Sequence, residues 1–142
     1  MDLKKITAEG IMSEAVVTVP ENIFIKDAVH LMLRERINGV PIVNSDKKIV
    51  GILTLTDFFH LIGRVLDSGD CDFLEEVLAC KKLKTSEIMS KQVFTIAPSM
   101  ALDEIISIMM EKKIHTFPVV ENDKLVGIIG RHDILNAIFA YS

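Results

Sequence analysis

The 142-residue sequence contains no tryptophan, one tyrosine, two cysteines, four prolines and seven glycines. With aromatic residues so scarce, burial falls to Ile, Val, Leu and Met, and an aliphatic core is expected. So little glycine and proline, beside a hydrophobic fraction of 49%, excludes a fibrous or disordered chain. Cys71 and Cys80 make neither a Cys-x-x-Cys pair nor a disulfide framework, as expected of reduced thiols in a cytoplasmic protein. Long apolar runs are missing as well. Ile105-Ile106 and Ile128-Ile129 are interrupted within a few positions, far short of the roughly 20 residues a membrane helix needs. Met1-Asp2-Leu3-Lys4-Lys5 lacks the apolar stretch of a secretory signal. Nor is there an excess of positive charge: a formal net charge of −4 argues against nucleic-acid binding but permits a locally positive pocket for a small anion.

Catalytic patterns are equally scarce. His30, His60, His115 and His132 have no Cys or carboxylate at zinc-like spacing, and there is no P-loop, G-x-G-x-x-G or nucleophile elbow. No catalytic residue, catalytic cofactor or metal is assigned, and an enzyme is not expected.

What the sequence does have is an internal repeat. Ile11-Met12-Ser13 returns as Ile88-Met89-Ser90, and Val16-Val17-Thr18-Val19 as Val93-Phe94-Thr95-Ile96. Gly39-Val40-Pro41-Ile42-Val43 returns as Thr116-Phe117-Pro118-Val119-Val120, Gly51 as Gly127 and Asp57 as Asp133. The register changes once, by one residue, between Val43 and Ile49. A loop belongs there.

Each copy predicts a strand, a helix, two strands and a helix, a mixed α/β class. Val16–Val19 reads as the first strand, with Pro20 and Pro98 breaking the chain before the helices. Ile25, Ala28, Val29 and Met32 fall at i, i+3, i+4 and i+7, and Leu102, Ile105, Ile106 and Met109 repeat the spacing, so both segments are amphipathic helices. The methionines are expected on such apolar faces. Asn122-Asp123 suits a tight hairpin turn. Neither copy buries both faces of its sheet alone, so the copies are expected to pair about an approximate two-fold axis. The copies are placed at residues 6–66 and 85–142, with a linker at 67–84 in which Phe73, Leu74, Val77 and Leu78 suggest a short helix.

The ordered set Ile-Met-Ser, Gly-Val-Pro-Ile-Val and Val-Gly-Ile-Leu-Thr-Leu-Thr-Asp, occurring twice, resembles the CBS (cystathionine-β-synthase) domain. Two in tandem resemble a Bateman module, expected here to stand alone. The resemblance spans about Ile6 to Tyr141. It implies a regulatory sensor binding AMP, ADP, ATP or S-adenosylmethionine in clefts between paired motifs.

Thr54 and Asp57 stand three apart at the start of a helix, which has two readings. One is a capping box that satisfies free helix amides. The other is a ligand site: helix N–H groups and the dipole favour phosphate, and a carboxylate accepts from ribose hydroxyls. The resemblance implies the ribose role for Asp57. In the second copy Asp133 is kept, but Gly130 replaces the hydroxyl residue. Arg131 and His132 open that helix, where a guanidinium fork suits phosphate oxygens. Gly39, Val40 and Pro41, with Thr116, Phe117 and Pro118, read as strands entered by proline; the resemblance makes them adenine-pocket linings. Phe117 has two equal readings, a purine-stacking ring or core. Thr18 and Thr95 resemble the opposite pocket wall, Thr56 belongs to the first helix start, and His115 stands at the rim of the second.

The expected function is an adenine-nucleotide or S-adenosylmethionine sensor that changes shape and acts on an unidentified protein target. The alternative is a ligand-free structural or dimerisation module. A homodimer is expected through exposed helix faces, with Ile134, Leu135, Ala137, Ile138 and Phe139 carrying more apolar surface than one buried stripe needs. Neither nucleic acid nor membrane is an expected partner.

Overall fold

The structure is a computed structural model that describes residues 1–67, 75 and 82–140. Phe73, Leu74, Val77 and Leu78 of the expected linker helix, and both cysteines, lie outside the described residues. The chain divides into two compact units: Val17–Val93, and Met1–Val16 with Phe94–Ser142. Packing therefore divides the chain differently from repetition, because each Ile-Met-Ser segment belongs to the unit built from the other copy's strands.

In the Val17–Val93 unit, β1 (Val19–Pro20) lies parallel to β2 (Gly39–Val43), which pairs antiparallel with β3 (Ile49–Thr54). Helix α2 (Ile25–Glu35) buries Ile25, Ala28 and Met32, the face its spacing predicts. Helix α3 (Leu55–Asp67) leaves β3 directly and buries Phe58. The core gathers these residues with Val19, Val40, Ile42 and Leu53. The short helix α4 (Thr85–Ile88) completes the unit. Its Thr85 is fully buried, and the Oγ1 hydroxyl donates to the Pro20 carbonyl at 2.8 Å. A buried hydroxyl without an acceptor is costly, so this bond allows a polar residue where the other copy has Ala8.

The other unit repeats the plan. Helix α1 (Ala8–Ile11) takes the place of α4, α5 (Leu102–Lys112) that of α2, and β4 (Thr116–Glu121) and β5 (Lys124–Gly130) form the hairpin before α6 (Arg131–Phe139). Asn122 and Asp123 both take positive φ, 52° and 63°, as a two-residue turn of this kind requires. In the first hairpin the longer join is closed by Asn44, whose Oδ1 accepts from the Asp46 and Lys48 amides. Core residues here include Ala8, Ile96, Leu102, Ile105, Phe117 and Val119.

The expected first strand is shorter than Val16–Val19. It begins only at Val19, and in the second copy it shrinks to one parallel bridge between Ile96 and Val119. The cause is a missing donor. The Glu21 amide extends the first pairing by donating to the Val43 carbonyl at 3.0 Å. Pro98 stands at the equivalent place and has no N–H to give.

The methionines of the repeated Ile-Met-Ser segments are not on helix faces but just beyond α1 and α4. A Cβ on Gly127 would stand 2.4 Å from the Met12 Sδ, and one on Gly51 2.4 Å from the Met89 Sδ. Ser13 and Ile128 exchange backbone hydrogen bonds of 2.9 and 3.0 Å; Ser90 and Ile52 exchange two of 2.9 Å. These clasps explain why both motifs recur: glycine gives the thioether room to lie against the strand. Met32 is buried as expected, whereas Met110 is exposed.

Candidate functional site

The hairpin register gathers the candidate residues of each unit at one end of its sheet. In the first, Gly39 pairs with Thr54, and Val40 and Pro41 follow opposite Leu53 and Ile52. Helix α3 starts at the next residue, and the Leu55 amide donates to the Asn38 carbonyl at 3.0 Å. Thr18 is exposed and immediately precedes Val19, which pairs with Ile42. Thr56 is exposed and Asp57 half-buried in the first turn of α3. Val40 and Pro41 are buried.

Asp57 does act as a cap. Its Oδ2 accepts from the Thr54 amide at 2.7 Å and from the Thr54 hydroxyl at 3.2 Å. Oδ1 takes no hydrogen bond among the described residues. One oxygen is thus committed to the helix start, and the other is left as an acceptor. The capping and ligand-binding readings use different oxygens of one carboxylate and are compatible.

The second unit builds the same end from different side chains. Thr116 pairs with Gly130, and the Gly130 amide donates to Asp133 Oδ2 at 2.7 Å. Loss of the threonine hydroxyl therefore leaves the backbone half of the cap intact. Arg131 and His132 are exposed in the first turn of α6; His115, just before Thr116, is exposed too, as is Thr95 before Ile96. Pro118 is buried in β4. Phe117 is fully buried and meets Phe94 edge-on, with ring centroids 6.3 Å apart and planes at 89°. That burial is what its core reading describes.

The exposed apolar surface differs from the one expected on the last helix. In α6, Ile134 belongs to the core and Ala137 and Ile138 pack against it, leaving Leu135 and Phe139 as the exposed apolar residues. A larger stripe, not recognised from the sequence, lies on α3: Phe59 is 68% exposed, Leu66 62% and Ile62 40%. Its i, i+3, i+7 spacing is legible in retrospect, along one flank of the face that carries Phe58. Among the described residues, no helix is long and apolar enough to cross a membrane, and no cluster of three or more His, Cys, Asp or Glu side chains could hold a metal.

The family model of the CBS domain matches residues 8–64 and 86–140. An uncharacterised protein of Methanocaldococcus jannaschii is 26% identical, over 92% of this chain and 89% of its own length. The inosine-5′-monophosphate dehydrogenase of Staphylococcus epidermidis is 34% identical over 92% of this chain, which spans only 24% of that enzyme. Among solved structures, a CBS domain pair in complex with 5′-methylthioadenosine and S-adenosyl-L-methionine is 26% identical. It superimposes with a TM-score of 0.75, covering 96% of this chain and 98% of that one.

Proposed function

The chain belongs to the CBS domain family, and from that premise we propose that it is a regulatory module binding an adenosine-containing small molecule. The candidate ligands are AMP, ADP, ATP and S-adenosylmethionine. Occupancy changes the module's shape and acts on a protein target, the module itself being a homodimer and not an enzyme. The observation that carries this reading is Asp57. Its Oδ2 serves the helix while Oδ1 takes no hydrogen bond among the described residues, which leaves an acceptor suited to ribose hydroxyls. The binding of S-adenosyl-L-methionine and 5′-methylthioadenosine by a related domain pair supports the ligand class. The likeness to the dehydrogenase is confined to about a quarter of that enzyme, so its activity is not carried over.

The second reading, a structural module without ligand, draws on the same caps, since a side-chain acceptor at position 57 or 133 serves the helix start whether or not a ligand binds. Calorimetric titration with AMP, ADP, ATP and S-adenosylmethionine separates the two. A ligand that binds only the folded chain also stabilises it by RT ln(1 + [L]/Kd), about 2.7 kcal/mol at a hundredfold excess over Kd. No heat and an unmoved melting temperature with all four at millimolar concentration would leave the structural reading.

A further inference from the structure

The methionines occupy three kinds of environment. Met1 and Met110 are exposed, at 71% and 74%, whereas Met32 is sealed in its core. Met12, Met89, Met100 and Met109 are half-buried against the apolar clusters. Of these, Met12 and Met89 also lie against a strand glycine. The atom nearest the bare side of Gly127 is the Met12 Sδ, and at Gly51 it is the Met89 Sδ. Each sulfur therefore faces the strand. The serine that follows each methionine exchanges two backbone hydrogen bonds with the residue after the glycine, Ser13 with Ile128 and Ser90 with Ile52. Ile52 and Ile128 stand two residues before Thr54 and Gly130, whose amides donate to the capping carboxylates, so each clasp braces the strand that carries a cap.

A thioether suits this place because it is apolar and adaptable. A sulfoxide does not. It carries an acceptor oxygen into a contact made of a glycine Cα and aliphatic side chains, where an unpaired polar atom is costly. The neighbouring amides of Ser13, Ile128, Ser90 and Ile52 are already committed to the clasps. The new oxygen finds a donor only by taking one of these or by turning out to water, and either movement opens the clasp.

We propose that Met12 and Met89 are reversible oxidation sites for a hydroperoxide, and that each sulfoxide holds its clasp open while the rest of the unit stays folded. With hydrogen peroxide, a sulfur lone pair attacks one peroxide oxygen; the S–O bond forms as the O–O bond breaks. The departing hydroxide takes the proton of the transferred oxygen and leaves as water. Sulfur gives up two electrons and the peroxide gains them. A dithiol reverses the change with two electrons and two protons, yielding thioether, water and a disulfide. Because each sulfur faces its strand, oxidation captures the transiently open clasp, as local opening exposes buried groups elsewhere. Neither site depends on the adenosine reading of the hairpin ends.

The full chain is treated with hydrogen peroxide, peptide mass spectrometry follows oxygen addition at each methionine, and NMR follows amide exchange. Met1 and Met110 should oxidise first and leave exchange unchanged. Met12 and Met89 should follow, before Met32. The Ser13, Ile128, Ser90 and Ile52 amides should then lose about tenfold or more of their protection, while those of α2 and α5 keep theirs. Methionine sulfoxide reductases with a dithiol should restore both mass and protection. Met12→Leu, which keeps the bulk and removes the sulfur, should confine the response to Ser90 and Ile52, and Met89→Leu to Ser13 and Ile128. Gly127→Ala, whose Cβ displaces the thioether, should speed Met12 oxidation several-fold and leave Met100 and Met109 as they were. Sulfoxide at Met12 and Met89 with the four amides still protected would overturn the proposal. So would oxidation of these two as fast as Met1 and Met110, or protection lost from the helices at the same time. Should Gly127→Ala not fold, the two leucine variants decide the matter: an undiminished response of Ser13 and Ile128 in Met12→Leu would overturn the site at Met12.

Discussion

Alanine at Gly51 should destabilise the chain more than alanine at Gly127, although the two glycines are equivalent in the repeat. Neither glycine has a left-handed φ, so the backbone tolerates alanine and the cost is one of space. At Gly127 the three nearest atoms all belong to the Met12 side chain, at 2.4, 2.7 and 3.1 Å from the new Cβ. Rotation about the methionine's side-chain bonds can swing its Sδ and Cγ aside, leaving only the longer Cβ contact at 3.1 Å. At Gly51 the Met89 side chain lies at 2.4 and 2.8 Å, but the third neighbour is the Ser90 carbonyl oxygen at 2.9 Å. That oxygen accepts from the Ile52 amide at 2.9 Å, and the Ser90 amide donates back at 2.9 Å, so it moves only if the clasp opens. Overpacking costs roughly 1–3 kcal/mol, and we expect about 1 at Gly127 and about 2–3 at Gly51. Alanine's smaller unfolded-state entropy offsets about 0.4–1 kcal/mol of each. In a chain of this size 1 kcal/mol moves the melting temperature by about 2–4 °C, so circular dichroism separates the variants. Truncating the methionine sharpens the contrast: Met12→Ala should relieve Gly127→Ala almost fully, and Met89→Ala should relieve Gly51→Ala only in part, read as coupling in two double-mutant cycles. A Gly127 variant as unstable as the Gly51 variant would refute the reasoning.

Asp57→Asn keeps an acceptor for the Thr54 amide, so stability should fall by less than about 1 kcal/mol, while the affinity for adenosine ligands falls about tenfold or more. Calorimetry beside thermal melts checks both, and a larger stability loss with unchanged affinity would make the residue a cap alone. Phe117→Ala should cost about 3–5 kcal/mol, because it empties a fully buried ring position against Phe94; an unchanged melting temperature with lost nucleotide binding would contradict its place in the core. Sedimentation at tens of micromolar should show a dimer, and Phe59→Asp with Leu66→Asp should yield a folded monomer. A monomeric parent chain would remove the homodimer from the proposal.

Features decided within one or two turns of chain were legible in the sequence. The apolar faces of α2 and α5 follow from a period of 3.6 residues, and the Asn122-Asp123 turn from the residues that tolerate positive φ. The spacing of Thr54 to Asp57 marked a helix start, and the same carboxylate recurred at Asp133. Repetition exposed the duplication, and the ordered motifs pointed to the family. Other features required the tertiary structure, because periodicity says which face is apolar and not what covers it. The first strand ends where Glu21 finds an acceptor, and the second fails to extend because the equivalent residue is proline. Phe117 suited a stacking ring and a core ring equally in the sequence, and its edge contact with Phe94 joins residues far apart in the chain. Met12 meets Gly127, and Met89 meets Gly51, through contacts that a repeat written in chain order assigns to the wrong copy. Local hydrogen-bond geometry and side-chain period are properties of neighbouring residues; the choice among distant partners depends on shape, burial and the donors left over once the chain has closed on itself.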